Sequence, residues 1–109
     1  MPRKTTLFLA VILFSVSIFA GSENTFVRYP AVNKDGSQIA FSYQGDIWTA
    51  SINGGNVRRI TINKAYEEFP MWSPDGKQIA FSSNRYGNND IFVINSNGSN
   101  IKRITYNSA

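Results

Sequence analysis

The side chains that could do chemistry in this chain are serines and carboxylates, and they lack the partners that such chemistry needs. Ser42, Ser82 and Ser83 could each supply a nucleophilic hydroxyl, but the 109 residues include no histidine to act as the adjacent base. The chain also contains no cysteine. We therefore expect it to contain no catalytic residue.

The carboxylates do not form a site either. Glu67 and Glu68 are adjacent, so on a strand they would point to opposite faces and could not act as an acid–base pair. The run Asn88-Asn89-Asp90 could approach a cation, but it lacks the ligand spacing of a calcium loop. We expect no metal site and no cofactor.

The structural elements that hold these residues come from a sequence unit that occurs twice in the chain. Pro30 to Phe41 reads PAVNKDGSQIAF, and 40 residues later Pro70 to Phe81 reads PMWSPDGKQIAF. Later segments repeat 44 residues apart: Asp46-Ile47-Trp48 as Asp90-Ile91-Phe92, and Arg59-Ile60-Thr61 as Arg103-Ile104-Thr105. The second copy therefore carries four extra residues, between Phe81 and Asp90. Self-similarity at this period is typical of solenoids and propellers.

Each unit is predicted to form four antiparallel strands, because short runs rich in β-branched and aromatic residues alternate with turn residues. In the second unit we expect a loop over 83–89 and strands over 69–73, 78–82, 90–95 and 100–105. Pro74, Asp75 and Gly76 form its first turn, since proline sets φ and glycine accepts positive φ. Asp35 and Gly36 occupy the same positions in the first unit.

Four antiparallel strands per unit is the plan of a propeller blade. We predict an all-β fold: two four-stranded antiparallel β-propeller blades, a partial propeller, after an N-terminal signal helix. The residues expected to pack the blades are Phe41, Trp48, Trp72 and Phe81. The basic pairs Arg58-Arg59 and Lys102-Arg103 are interpreted as a polar strand face that recurs once per repeat.

Residues 1–20 read as a secretory signal peptide. Arg3 and Lys4 precede an apolar run from Leu7 to Phe19, and small residues follow, so cleavage after Ala20 or after Ser22 would fit. The rival interpretation, a membrane anchor, is disfavoured because the run is shorter than the roughly 20 residues that span a bilayer. We expect an exported bacterial protein, periplasmic or secreted, with no stable membrane anchor. Nine basic against seven acidic residues remain after the signal, too balanced for nucleic-acid binding.

Two segments carry a family resemblance: Tyr29 to Trp48, and Pro70 to Val93 with its Ser-Pro-Asp-Gly-Lys turn. Over residues 26–109 the chain resembles the first blades of exported bacterial tricorn-like serine peptidases, which share TolB-like propeller repeats. The first unit departs from the motif, since Asn33-Lys34 stands where Ser-Pro is expected.

This resemblance implies two propeller blades, at 21–65 and 66–105, with 106–109 beginning a link to a third. It implies an N-terminal fragment of a longer peptidase, whose propeller gates or positions peptide substrates without itself being catalytic. Peptides or proteins would be the partners of the full-length protein, which could also form a homo-oligomer. The alternatives are a TolB-like periplasmic binding module and the propeller of a prolyl-oligopeptidase-type enzyme.

Overall fold

The computed structural model describes residues 26–106, and its regular elements are β-strands. The predicted signal peptide and residues 107–109 lie outside the described part. The strands are β1 (Arg28–Val32), β2 (Gln38–Tyr43), β3 (Asp46–Ser51), β4 (Arg58–Arg59), β5 (Glu67–Trp72), β6 (Gln78–Tyr86), β7 (Asn88–Asn95) and β8 (Lys102–Arg103). Across residues 26–106 there is no helix of the length and hydropathy that a bilayer span requires.

The strands form two sheets that repeat one topology. β1-β2-β3-β4 is the first sheet, which we name blade 1, and β5-β6-β7-β8 is the second, blade 2; every neighbouring pair is antiparallel. The registers match as well, because Phe41 lies opposite Trp48 in blade 1 and Phe81 lies opposite Phe92 in blade 2. The predicted all-β fold with two four-stranded antiparallel sheets is confirmed.

The blades pack face to face through a cluster of apolar side chains. The cluster comprises Ala40, Ile47 and Ile60 of blade 1 and Ile79, Phe81, Phe92 and Ile94 of blade 2. Blade 1 contributes the smaller side chains, since Ala40 and Ser42 point into this interface and are buried. Small residues on one face let the larger residues of the other sheet fill the gap, as a close-packed core requires.

The opposite face of blade 2 carries the equivalent residues but has no sheet against it in the described chain. Ile47 is 0% exposed, whereas its repeat equivalent Ile91 is 41% exposed. Ile60 and Ile104 differ in the same way, at 6% and 49%. The repeat thus presents the same apolar face twice, covered in blade 1 and open in blade 2.

The hairpin of blade 2 differs from the prediction, which placed a loop over 83–89. β6 continues to Tyr86 and β7 begins at Asn88, so the extra residues lengthen a hairpin instead of forming an irregular loop. Gly87 closes the turn with φ of 99°, a conformation that glycine adopts without steric cost. The last strand is also shorter than predicted: β8 contains only Lys102 and Arg103.

Candidate functional site

The surface that best qualifies as a functional site is the groove between β1 and β5, the first strands of the two blades. A depression of about 60 Å³ at one end is lined by Phe26, Arg28, Tyr66 and Glu68, among others. A second, of about 460 Å³, lies at the other end, where Val32, Lys34, Met71 and Trp72 are among its lining residues. Along both strands, Tyr29 and Phe69 lie between these two depressions. We call this surface the β1/β5 groove.

The groove is formed by two strands that share an irregularity. In β1 the pairing moves from Arg28–Ser42 to Ala31–Ala40, so two residues of β1 stand opposite the single residue Phe41. In β5 the same shift occurs between Glu68 and Met71. Each strand therefore contains a β-bulge, a device that bends a strand and redirects a side chain.

Within the bulges, Tyr29 and Phe69 adopt an unusual backbone conformation. Their φ angles are 56° and 57°, in the left-handed region that bulky residues avoid. The other non-glycine residues with positive φ in the described chain are Gln44, Asn56 and Asn100. Holding an L-residue in this region costs about 1–2 kcal/mol. Two aromatic residues thus occupy positions where Asn or Gly would cost less.

The proline after each aromatic residue explains why the irregularity occurs there. Pro30 and Pro70 have no N–H to donate to the strand ladder, and proline within a sheet is confined to edge strands or bulges. β1 and β5 are both edge strands of their sheets. The repeat of proline at these positions was the sequence signal for the bulges, and sequence reasoning missed it.

The two aromatic rings meet across the groove. Their centroids lie 4.0 Å apart at an interplanar angle of 42°. Burial does not account for this arrangement, because Phe69 is 56% exposed and Tyr29 is only half-buried. The structure therefore presents a strained aromatic pair to the surface between two depressions.

A second recurring arrangement lies at the start of the third strand of each blade. The buried Asp46 accepts hydrogen bonds from Arg59 Nε at 2.9 Å and from Thr61 Oγ1 at 3.2 Å. In blade 2 the buried Asp90 accepts from Arg103 Nη2 at 2.8 Å and from Thr105 Oγ1 at 2.9 Å.

The basic pairs lie at matching positions, on the last strand of each blade, as the polar strand face predicted from the repeat requires. Arg59 and Arg103 have a further role that the prediction did not include. Each anchors the last strand of its blade to a buried carboxylate, through a contact between residues 13 apart in sequence. The repeated Asp and Arg-x-Thr segments were visible in the sequence. The pairing of the aspartate with the arginine and threonine was not visible, because it depends on how the third and fourth strands lie side by side.

Blade 2 contains a buried ion pair with no counterpart in blade 1. Glu67 is fully buried, and its carboxylate oxygens lie 2.9 and 2.7 Å from Arg85 Nη2. The main chain of Glu67 joins the blades, since its N–H donates to Gly45 O and its C=O accepts from Ser42 Oγ. Arg85 lies in the segment that contains the four extra residues, so this segment supplies the charge partner of the residue whose main chain joins the blades.

The predicted turn residues form matching turns. The Ser37 hydroxyl and then the Ser37 N–H hold the pKa of Asp35 below its ordinary value of 3.8. For Asp75 the Ser73 hydroxyl and then the Lys77 N–H lower the pKa from 3.8 in the same way. Gly36 and Gly76 follow with φ of 76° and 73°. In both turns the carboxylate closes the loop on its own backbone, which is a structural role.

The predicted packing residues lie on two different faces. Phe81 belongs to the cluster between the blades and Trp72 packs against it, with Trp72 Nε1 donating to Ala31 O at 2.8 Å. Phe41 and Trp48 belong to another cluster, on the face of blade 1 that points away from blade 2. A role for these two in packing between blades stays a prediction.

Metal-ligating groups do not converge in the described chain. Within residues 26–106 there is no group of three or more His, Cys, Asp or Glu side chains that could hold a metal ion. Ser42 Oγ donates to Glu67 O, and Ser83 Oγ accepts from Arg85 N and Nε. The hydroxyls of these two serines therefore take part in hydrogen bonds within the fold.

The geometry of two matched blades agrees with the comparison to known families. Residues 24–109 match the family described as the tricorn protease N-terminal beta propeller domain. The chain belongs to this family. Tricorn protease homolog 1 of Streptomyces coelicolor is 32% identical over 62 residues, which cover 57% of this chain and 6% of that protein.

Solved structures agree with the family match. The putative TolB from Agrobacterium tumefaciens superposes with a TM-score of 0.71 at 28% identity, over 80% of this chain and 33% of that one. The crystal structure of the tricorn protease gives a TM-score of 0.64 at 29% identity, over 73% of this chain and 8% of that one. The chain thus spans a small part of the length of its tricorn relatives, and its tricorn-like propeller repeats are established.

Proposed function

We propose that this chain is the leading propeller segment of an exported tricorn-like serine peptidase, in which it admits and positions peptide substrates and does no chemistry itself. The observation that carries the proposal is the match of residues 24–109 to the tricorn N-terminal propeller family. The absence of histidine from the sequence supports a non-catalytic role, because its serines have no imidazole to activate them.

Hydrolysis assays on the 109-residue chain test the non-catalytic role. We expect no turnover of fluorogenic peptides, and no change when Ser42, Ser82 and Ser83 are each replaced by alanine. Turnover that co-purifies with the wild-type chain and is lost in one of these variants would contradict the proposal.

The coding sequence downstream of codon 109 tests the parent enzyme. Further Ser-Pro-Asp-Gly units followed by a domain with a serine nucleophile and a histidine base would support a peptidase. A gene without such a domain would overturn the peptidase assignment.

Export is proposed from the N-terminal sequence, where Arg3 and Lys4 precede the apolar run. N-terminal sequencing of the protein recovered from its native host tests this, and we expect a mature terminus at Gly21 or Glu23. An intact Met1 on the recovered protein would overturn the proposed cleavage.

A second candidate is a TolB-like binding module that recruits other proteins. The superposition on the putative TolB over 80% of this chain favours it. The two candidates differ in the domain that accompanies the propeller, so the same gene sequence separates them.

A further inference from the structure

We propose that the β1/β5 groove binds an extended peptide, with an apolar side chain of that peptide seated on the Tyr29–Phe69 ring pair. The inference rests on the proposed function, because it names the site at which the propeller segment would hold its peptides. It assigns a binding role to two residues that are otherwise only strained positions in edge strands.

The backbone of both strands points to a role for the aromatic residues beyond folding. Tyr29 and Phe69 occupy equivalent positions of two repeats, and both adopt φ near 57°. Backbone strain in folded proteins clusters at ligand-binding and active sites. Phe69 is 56% exposed, so burial in the core does not offset the energetic cost of its backbone conformation.

The surface around the pair is apolar on both strands. Of the side chains that line the groove, Phe26 and Val32 on one side and Tyr66 and Met71 on the other are each more than half exposed. Exposed apolar patches of this kind mark interaction surfaces. The two depressions on either side of the ring pair provide room for neighbouring side chains.

Length and charge favour a peptide over other ligands. β1 spans five residues, which corresponds to roughly 16 Å of extended chain. Arg28 and Glu68 line one depression and Lys34 lines the other, so the groove carries charges of both signs instead of the strong positive field that nucleic acids or anionic lipids need.

The test is binding of capped pentapeptides with a central Phe or a central Ser to the 109-residue chain, followed by fluorescence anisotropy. We expect the Phe peptide to bind about fivefold more tightly, as an aromatic contact allows. Phe69→Asn should abolish this preference while leaving the melting temperature unchanged or higher, because Asn tolerates the left-handed conformation. The matched control is Tyr106→Asn, at an exposed tyrosine outside the groove, which should keep the preference.

Each result separates the inference from the proposed function. Peptides that bind without a preference for Phe, or a Phe69→Asn variant that keeps it, would overturn the role of the ring pair and leave the proposed function standing. Failure of every peptide to bind would overturn the inference, and the proposed function would still be decided by the coding sequence downstream of codon 109.

A measurement on the wild-type chain covers the case in which Phe69→Asn fails to fold. The central Phe of the peptide is replaced by a photoreactive benzophenone residue, and the cross-links are mapped by mass spectrometry. Cross-links on β1 and β5 support the proposal, and cross-links confined to other strands overturn it.

Discussion

Arg85→Met should be among the most destabilising single substitutions in blade 2, because it removes the partner of a buried charge. Glu67 is 0% exposed, and both of its carboxylate oxygens bond to Arg85 Nη2. The Arg85 guanidinium also lies 4.7 Å from the centre of the Phe92 ring. Methionine keeps most of the side-chain volume over Phe92, so the substitution mainly removes the charge.

The expected magnitude follows from burial. Removing one partner of a buried ion pair costs about 3–5 kcal/mol, because the remaining charge stays unpaired in the interior. The Arg85 side chain is only 16% exposed, so solvent does little to screen this pair. The matched control is Arg59→Met, where the arginine side chain is 44% exposed and Asp46 keeps two donors, the Thr61 hydroxyl and the Asn63 N–H. We expect the control to cost less than about 1 kcal/mol.

The assay is equilibrium urea denaturation followed by the fluorescence of Trp48 and Trp72. A double variant, Glu67→Met with Arg85→Met, completes the design. Replacing both members of a buried pair by apolar residues is often neutral, so the double variant should recover most of the stability lost in Arg85→Met.

Two outcomes would refute this reasoning. A loss in Arg85→Met no larger than in Arg59→Met would show that Glu67 reaches solvent or another partner. A double variant less stable than Arg85→Met would show that the carboxylate of Glu67 has a role other than pairing with Arg85. The main-chain hydrogen bonds of Glu67 could not explain that result, because the substitution leaves them in place.

Other predictions concern the seam, the turns and the open face. Trp72→Phe should cost about 1 kcal/mol in urea denaturation, since it removes the bond to Ala31 O across the blades; an unchanged midpoint would contradict this. Gly45→Ala should destabilise more than Gly76→Ala, because both have positive φ but only at Gly45 would a Cβ lie 3.3 Å from a carbonyl oxygen; equal losses would be the contrary result. Because the folded pKa of Asp75 is lowered, its contribution is present above the unfolded value near 3.8 and is lost as pH falls through the folded pKa. Asp75→Asn should therefore reduce the difference in free energy of unfolding between neutral pH and pH below 3.8, measured by urea denaturation at several pH values. The same loss of stability at acid pH in the variant and the wild type would contradict this. The exposed face at Ile91 and Ile104 should make the chain self-associate, which sedimentation velocity at several concentrations can show; a sharp, concentration-independent melt of a monomer would contradict it.

Local sequence chemistry predicted the parts of this fold that depend on neighbouring residues. The turns at Asp35-Gly36 and Asp75-Gly76 follow from residue types that favour one backbone conformation. Residues alternate between the two faces along β7, so Phe92 and Ile94 share one face, and both are buried in the core. The loop predicted over 83–89 was wrong because polar residues there pair across a hairpin, and polarity alone does not distinguish an exposed hairpin from a loop.

The sequence by itself determined the repeat, the four-stranded unit and its turns, because each is encoded by residues only a few positions apart. Tertiary structure alone decided which charges are buried and which aromatic residues meet. Glu67 pairs with Arg85 over 18 residues, between two adjacent strands of blade 2, and Tyr29 meets Phe69 over 40 residues, across two separate sheets. The first contact depends on the register of a long hairpin. The second depends on how the two blades are placed against each other, and that placement arises from burial of the whole apolar face between them.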